Sequence, residues 1–218
     1  MQRRAQTFVK SGKFSAADAR ASLETSLREL GTDYIDFFLL HDYVADDRAS
    51  DELVAFLEDM VKAGKIRYYG LGTGIDNIVR AMATQAELCN VIQFENSVLN
   101  RNTEKLPPNS RAQLVITHGA LSASFRSISA FLKAQPDAAK EWSAGLGMDC
   151  ASDDSLSALL LNFAVDANPG GLVLFSSRNA GRVARNINAV LRPELAPEQV
   201  SLFGQLIERM RPQLTVDS

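Results

Sequence analysis

Residues 34–41 read "YIDFFLLH", a nearly unbroken apolar and aromatic run that ends in a histidine. A short run of this kind is typical of a strand that is buried on both faces, as in a parallel sheet. The chain has only two histidines. His41 is therefore interpreted either as a polar residue that leaves the core at the strand end or as a functional side chain, and the rest of the sequence bears on that choice.

The segment before this strand has the pattern of an amphipathic helix. In "FSAADARASLETSLREL", residues 14–30, Ser15 is a good N-cap and Gly31 suits the position just after a helix. Leu23, Leu27 and Leu30 lie on one helical face. The predicted strand is thus preceded by a helix that would cover it.

The same alternation of helix and strand continues to the end of the chain. Further strands are predicted at 66–72, 91–94, 113–117 and 172–175. Helices are predicted at 51–64, 76–88, 155–167, 179–191 and 197–210, with helical pieces at 125–133 and 137–142. Short connections between strands and helices predict an α/β fold with a parallel sheet, and no repeat or linker divides residues 1–218.

Polar residues repeatedly follow the predicted strands. Right-handed crossovers place the carboxyl ends of parallel strands on one side of a sheet, where barrels and open α/β sheets bind ligands. We therefore expect His41 at the end of a central strand, facing the same mouth as Gln93 and Arg178. The strand-end residues are His41, Asp42, Gly72, Thr73, Gln93, Glu95, Asn96, Thr117, His118, Ser176, Ser177 and Arg178.

Composition excludes several classes of function. The 218 residues are 46% hydrophobic and 22% charged with a net charge of −3, which indicates no nucleic-acid or anionic-membrane surface. Cys89 and Cys150 form no C-x-x-C pair, so neither a disulfide scaffold nor a metal site is predicted. No apolar segment approaches the ~20 residues of a membrane span, and the first residues lack a signal peptide. We expect a soluble, cytoplasmic protein.

Other motifs fail on their details. "GLGTGI", residues 70–75, lacks the third glycine of a dinucleotide fingerprint, and residues 64–66 lack the remainder of a P-loop. The pair His41 and Asp42 would need more histidines to form a metal phosphohydrolase site. No G-x-S-x-G elbow of a serine hydrolase is present.

Four blocks of the sequence resemble the aldo-keto reductase superfamily, in the family's order and at its spacing. "SLETSLRELGTDYIDFFLLHDY" (22–43) resembles the family's helix leading into "LGTDYIDLYLLH", and "LVAFLEDMVKAGKIRYYGLGT" (53–73) resembles the next block. "VIQFENSVLNR" (91–101) is similar to "Q..YN.L.R", and "LVLFSSRNAGRVARNINAV" (172–190) to "IPGSRNPEHLEENIAA". The resemblance implies a (β/α)8 TIM barrel that reduces aldehydes and ketones with NADPH.

The resemblance assigns catalytic roles to two residues. His41 stands where the family's histidine ends its strand, and an imidazole there can orient and polarise a carbonyl. Lys10 in "FVKSGKF" can be aligned with the lysine of "STKVGRF", which would make it the catalytic lysine; the alternative is a solvated lysine in an N-terminal coil. No metal is implied.

The resemblance also assigns the NADP(H) contacts. Gln93 matches the glutamine that binds the nicotinamide amide, and Thr73 replaces an amide-bearing residue. His118 falls near an aromatic that stacks on the nicotinamide; the alternative is a surface histidine. Ser176, Ser177 and Arg178 match the phosphate segment; independently of the family, hydroxyls, a guanidinium and a helix N-terminus form an anion site. Asn186 matches an asparagine that reaches adenine, or is a polar residue on a solvated helix face.

The sequence departs from the family in its first part. The family's catalytic aspartate and tyrosine lie far upstream of the histidine, whereas Tyr34, Tyr43, Tyr68 and Tyr69 all lie too late. Because a complete barrel has about 250 residues, we expect a single domain at 1–218 that is a partial barrel, incomplete at its N-terminus and corresponding to roughly the last five strands and their helices. Open barrel edges would favour a homo-oligomer.

Two functions remain open on the sequence alone. The first is NADP(H)-dependent reduction of a small carbonyl substrate, or the reverse oxidation, in a chain that lacks the proton-donating tyrosine. The second is a non-catalytic nucleotide-binding or protein-interaction half-barrel.

Overall fold

The computed structural model describes residues 15–45, 50–108, 110, 112–192 and 195–211. Its sheet has five strands: β1 (Ile35–His41), β2 (Ile66–Gly72), β3 (Val91–Glu95), β4 (Leu114–His118) and β5 (Leu172–Val173). The strands follow the order β1-β2-β3-β4-β5 and are parallel. The expected α/β fold with a parallel sheet is confirmed. Lys10, the candidate catalytic lysine, lies outside the described residues.

Eight α-helices accompany these strands in the described part of the chain. They are α1 (Ala16–Leu30), α2 (Asp51–Lys62), α3 (Ile75–Thr84), α4 (Ser122–Ala134), α5 (Pro136–Leu146), α6 (Asp153–Asp166), α7 (Ala180–Leu191) and α8 (Pro197–Met210). Short 3₁₀ helices occur at Ala86–Leu88 and Asn102–Lys105. None of the helices in these described segments has both the length and the apolar character that crossing a membrane requires.

One expectation about strand position is wrong within the described sheet. His41 ends β1 as predicted, but β1 is an edge strand and not a central one. The reason is that the sheet follows chain order, and β1 is the first strand in it.

The chain divides into two compact units. Unit 1 comprises residues 1–93 and 107–113, and unit 2 comprises residues 94–106 and 114–218. The units are described separately below, and the single-domain assignment stays a prediction.

In unit 1 the helix caps anticipated from the sequence are present. The Ser15 hydroxyl accepts a hydrogen bond from the Asp18 N–H at 3.0 Å, and Gly31 ends α1 in the left-handed conformation at φ 66°. A cap of this type contributes about 1 kcal/mol to helix stability, and glycine adopts this φ without a Cβ penalty. Gly70 has a different requirement, because a Cβ there would lie 1.8 Å from the Val91 carbonyl oxygen of the neighbouring strand.

The two faces of the unit 1 sheet differ in burial. One face carries buried apolar side chains from all three strands, namely Phe38, Leu40, Tyr69, Leu71 and Ile92. The other face is apolar too, but Phe37 on it is only half-buried, and Tyr68, stacked on Phe37 at 6.0 Å between ring centroids, is 43% exposed. The described residues therefore leave part of this apolar face in contact with solvent.

Unit 2 has its own helical core. Trp142 of α5 is fully buried and meets Phe203 of α8 edge-to-face, with ring centroids 6.3 Å apart. Near the β4–β5 pair, the Asn168 amide donates to the carbonyls of Val115 and Leu172, each at 3.2 Å. The buried amide thus links two strands, and its own polar groups are satisfied inside the protein.

Candidate functional site

Three residues at the carboxyl ends of neighbouring strands lie in one row in unit 1. His41 is the register partner of Gly72, and Gly72 is the register partner of Gln93. Residues paired in this way point to the same face of a parallel sheet, and adjacent strands are about 4.8 Å apart. The structure therefore brings His41 and Gln93 onto one face, two strands apart, with a glycine between them.

The His41 ring is exposed and lies beside a carboxylate. Its side chain is 77% exposed, and Asp42 Oδ2 lies 3.2 Å from His41 Nδ1. Asp42 is itself 71% exposed and has a left-handed backbone with φ 54°. The ring is accordingly accessible to a ligand on the side that Asp42 does not occupy.

The loop after β1 is anchored by buried polar contacts. Tyr43 is buried, and its hydroxyl donates to Gln85 Oε1. The Gln85 amide donates in turn to the Ala45 carbonyl at 3.3 Å, and the Thr73 hydroxyl donates to the Tyr43 carbonyl at 3.0 Å. These contacts fix the backbone that follows His41.

Thr73 and Gln93, two predicted cofactor residues in this region, differ in whether their side chains already form hydrogen bonds. The Thr73 hydroxyl already donates to the Tyr43 carbonyl and accepts a 3.4 Å hydrogen bond from the Asn77 amide. The half-buried Gln93 side chain has no hydrogen-bond partner among the described residues, and Gln93 contributes its carbonyl to the Thr73 N–H at 3.1 Å. The carboxamide of Gln93 is therefore the group free to bind a ligand.

None of the four tyrosines in the sequence presents its hydroxyl beside His41. Tyr34 precedes β1 at the opposite end of that strand, about 20 Å away at ~3.3 Å per residue. Tyr43 is committed to Gln85, and Tyr68 and Tyr69 lie in the middle of β2. Burial raises the pKa of Tyr69 above its ordinary value, as does the nearby Glu58 carboxylate.

In unit 2, two of the predicted cofactor residues line one cavity. This cavity has a volume of ≈ 340 Å³, and His118 and Ser176 both line it. Its remaining lining is Gly119, Ala120, Leu121, Ser122, Leu174 and Phe175. It therefore offers an imidazole and hydroxyls beside a few apolar side chains, a combination that can bind a small molecule.

The segment that joins β5 to α7 has free cationic and polar groups. The Asn179 side chain caps α7 by accepting from the Arg182 N–H at 3.0 Å, and the Ser177 hydroxyl accepts from the Asn179 N–H at 3.1 Å. Arg178 is exposed and forms no ion pair or hydrogen bond with the described residues. Asn186 is half-buried on α7, two turns along the helix. The guanidinium of Arg178 remains available for an anion.

Two of the strand-end polar residues are structural. Thr117 is buried, with the Asn168 amide 3.5 Å from its hydroxyl. Asn96 is also buried, and its Oδ1 accepts from the Thr103 N–H at 3.0 Å. The Thr117 hydroxyl and the Asn96 Oδ1 serve internal hydrogen bonds, and since both side chains are buried, the rule that polar strand ends face a ligand does not hold for these two.

A larger cavity of ≈ 670 Å³ lies elsewhere in unit 2, between α6, α8 and the 3₁₀ helix Asn102–Lys105. None of the predicted site residues lines it. Its most buried charge, Arg101, donates to the Gly204 carbonyl at 2.7 Å and lies 3.2 Å from a Glu208 carboxylate oxygen. Because this guanidinium is already paired, we place the candidate site at the strand ends and not in the larger cavity.

The sequence does not predict the contact of Asp42 with His41, although the two residues are adjacent in the "HD" pair. Among the described residues, no group of three or more His, Cys, Asp or Glu side chains is placed to hold a metal ion.

Comparison with known proteins identifies a family. The model of the aldo/keto reductase family matches residues 7–208. An uncharacterized oxidoreductase, YqkF, from Bacillus subtilis (strain 168) is 29% identical over 94 residues, which is 43% of this chain but only 30% of that protein. The chain thus matches well under two thirds of that relative's length.

Solved structures share the fold. The apo form of the aldo-keto reductase AKR11C1 from Bacillus halodurans superposes with a TM-score of 0.68 at 24% identity, covering 89% of this chain and 69% of that one. The glycerol dehydrogenase AKR11B4 from Gluconobacter oxydans gives a TM-score of 0.63 at 19% identity, covering 89% and 64%. The partial-barrel fold class predicted from the sequence agrees with these matches.

Proposed function

Because this chain belongs to the aldo/keto reductase family, we propose that it is an oxidoreductase that interconverts an aldehyde or ketone and the corresponding alcohol with NADP(H). The observation that carries this proposal is the family match over residues 7–208, which includes every proposed site residue. The cofactor supplies or accepts the hydride when it is bound; the residues of the chain bind, orient and exchange the proton.

Gln93 and His41 are proposed to act at the nicotinamide end. The free carboxamide of Gln93 can donate to and accept from the amide of a nicotinamide. His41, in the same row, can hydrogen-bond the substrate oxygen. Thr73 contributes mainly by holding the loop, since its hydroxyl proton goes to the Tyr43 carbonyl.

In unit 2, Ser176, Ser177 and Arg178 are proposed to hold the phosphates. A guanidinium with no internal partner can form charge-assisted hydrogen bonds with a phosphate. This supports a preference for NADP(H) over NAD(H), because the 2′-phosphate adds a doubly charged group. His118 is proposed as a further cofactor residue, in the cavity of unit 2 that it shares with Ser176, and Asn186 is proposed to contact the adenine.

Proton transfer is the step of the proposed reaction that we expect to be slow. None of the chain's tyrosines is placed beside His41, and Lys10 is proposed as the family's lysine from the sequence alone. Loss of general acid catalysis costs roughly 10²–10⁴-fold in rate. We therefore propose a chain that binds the cofactor but turns over a carbonyl slowly.

A substitution at Gln93 tests the proposed site. Q93L replaces the carboxamide by an apolar group of similar size, so the side chain can no longer form hydrogen bonds with a cofactor. It should weaken the binding of NADPH and NADH equally, because both carry the nicotinamide amide. The measurement is a cofactor fluorescence titration of both proteins. Q113L, the same substitution at an exposed glutamine that precedes β4, is the control. Unchanged affinity of Q93L for both cofactors would contradict the site.

A second candidate function is protein interaction, and the half-exposed sheet face of unit 1 favours it. Phe37 and Tyr68 form an apolar, solvent-contacting patch on a sheet whose edge strand is β1. Exposed apolar faces and open strand edges promote association with another chain. We propose a homo-oligomer through this face as the alternative, or as an addition, to the enzymatic role.

A further inference from the structure

Asp42 has a backbone conformation that L-residues seldom adopt. Its φ of 54° is the one positive φ of a non-glycine residue among the described residues. Aspartate tolerates this region better than most residues, yet the conformation still costs free energy and is found where the surroundings enforce it. The contacts around Asp42 should therefore explain why it adopts this φ.

The surroundings enforce this conformation from both sides. The Asp42 N–H continues the sheet ladder by donating to the Gly72 carbonyl at 2.8 Å. The next residue, Tyr43, is buried, and its carbonyl accepts from the Thr73 hydroxyl at 3.0 Å. The chain must therefore turn sharply at Asp42.

This turn brings the carboxylate back onto the preceding side chain. Asp42 Oδ2 lies 3.2 Å from His41 Nδ1. The neighbours of His41 in the strand-end row are Gly72 and Gln93, which carry no charge. Among the described residues, Asp42 is thus the ionisable group placed against the ring.

We propose that Asp42 is a positioning residue that keeps the proton of the neutral His41 ring on Nδ1, so that the exposed Nε2 accepts a proton from an alcohol. This inference rests on the proposed function. A carboxylate 3.2 Å from Nδ1 favours the tautomer that carries hydrogen there, because the positive end of that N–H dipole then lies nearest the negative charge. In alcohol oxidation the O–H bond breaks as Nε2 takes the proton, while the C–H hydride passes to NADP⁺.

The reverse reaction uses the same atom. The imidazolium would return its Nε2 proton to the carbonyl oxygen, and a bound NADPH would supply the hydride for the carbonyl carbon, so atoms and charge balance. A neutral ring with hydrogen on Nδ1 cannot donate through Nε2. The arrangement therefore differs from the expectation that a neutral His41 polarises the carbonyl, and it gives the chain an acid–base group that needs no tyrosine.

The expected bias is modest because both side chains are exposed. A contact between a carboxylate and a neutral ring should not exceed an exposed ion pair, which alters an equilibrium by about 1.4- to 5-fold. That range is measurable as a change in the ratio of the two ring tautomers.

Nitrogen-15 NMR of the histidine rings tests the inference. The chain has two histidines, so H118Q leaves His41 as the single ring signal and removes any ambiguity of assignment. Above the titration of the ring, we expect the Nδ1–H tautomer of His41 to exceed its share in free histidine. D42G should return the ratio to that of free histidine, and glycine keeps the left-handed backbone without strain.

Two further variants complete the experiment. D42N, which retains tolerance of positive φ and an acceptor oxygen without charge, should give an intermediate ratio, and it decides the matter if D42G does not fold. D36N removes a charge from β1 that pairs with Arg67 at 2.7 Å, and it should leave the His41 ratio unchanged. Identical tautomer ratios in the unaltered chain and in both Asp42 variants would overturn the proposal.

The outcome is separable from that of the proposed function. The tautomer is measured without cofactor, whereas the proposed function is tested by the saturable response of the Gln93 and Arg178 amide signals to NADPH. An Asp42-dependent tautomer with no cofactor response would refute only the proposed function. A cofactor response with an Asp42-independent tautomer would refute only the inference about Asp42.

Discussion

Replacing Arg178 by alanine should weaken NADPH binding while leaving NADH binding nearly unchanged. Arg178 is exposed and has no partner among the described residues, so its removal breaks no internal contact. Hydrogen bonds to charged groups contribute about 1.5–3 kcal/mol, which corresponds to about 13- to 160-fold in affinity. Because the guanidinium is solvent-exposed, we expect the loss at the lower end, about 10-fold at physiological ionic strength.

The assay is a fluorescence titration of NADPH and NADH against the unaltered chain, R178A and R192A. Arg192 follows α7 at its other end, about 18 Å away at 1.5 Å per residue, and R192A removes the same charge. R192A should bind both cofactors as the unaltered chain does. The NADPH affinity of the unaltered chain should fall with added salt, and that of R178A should fall less steeply.

Two results would refute this reasoning. If R178A and R192A weaken NADPH equally, the effect is one of net charge and not of a phosphate contact. If R178A weakens NADH as much as NADPH, the guanidinium serves a part of the cofactor other than the 2′-phosphate.

Three further predictions concern stability and association. Y43F removes the buried donor to Gln85 Oε1 and should lower the free energy of unfolding by about 1–3 kcal/mol in urea titrations, whereas Y34F at an exposed ring should change it by less than about 0.5 kcal/mol. Burial, followed by the nearby Glu87 carboxylate, raises the pKa of Cys89 to about 11. The unfolded thiol ionises first, so stability should fall from about pH 8.5 to about pH 11, and C89A should flatten that slope. F37S, on the half-exposed sheet face, should reduce any concentration-dependent association seen by light scattering; association that survives it would place the interface elsewhere.

The order of helices and strands was predictable because cap residues and the periodicity of apolar residues lie within each element's own sequence. Ser15 and Gly31 bound α1 as their side-chain chemistry indicates. Strand limits agree to within a residue for four strands; β5 is shorter than predicted, although the Leu174 N–H still donates to the Thr117 carbonyl at 2.7 Å. Periodicity of apolar residues therefore suffices for the elements themselves.

Features decided by tertiary contacts were not predictable. The helix predicted at 76–88 ends at Thr84, because Gln85 leaves helical geometry and its buried side chain binds Tyr43 and Ala45. The periodicity of apolar residues cannot show that the side chain of Gln85 will hydrogen-bond a loop that lies about 40 residues earlier in the chain. The contact between His41 and Asp42 depends likewise on a positive φ that follows from backbone contacts with β2 and Thr73.

The candidate site was predictable in part, from the rule about strand ends and from the family motifs. Gln93 and His41 lie in one row because β1, β2 and β3 are in register, which the sequence does not specify. Thr117, in contrast, matched the same strand-end rule and proved to be buried. A polar residue after a strand can face a ligand or form hydrogen bonds inside the protein, and only the surrounding structure distinguishes the two cases.

Transfer of a labelled hydride tests the central claim most directly. The chain, at a concentration above that of a generic aldehyde, is incubated with NADPH deuterated at the transferable position, and the alcohol is analysed by mass spectrometry. Our account predicts deuterated alcohol at a rate above the protein-free blank, roughly 10²–10⁴-fold below a fully equipped enzyme, and lower still with H41Q. Absence of deuterium transfer beyond the blank, from a chain shown to be folded, would contradict the assignment of oxidoreductase activity.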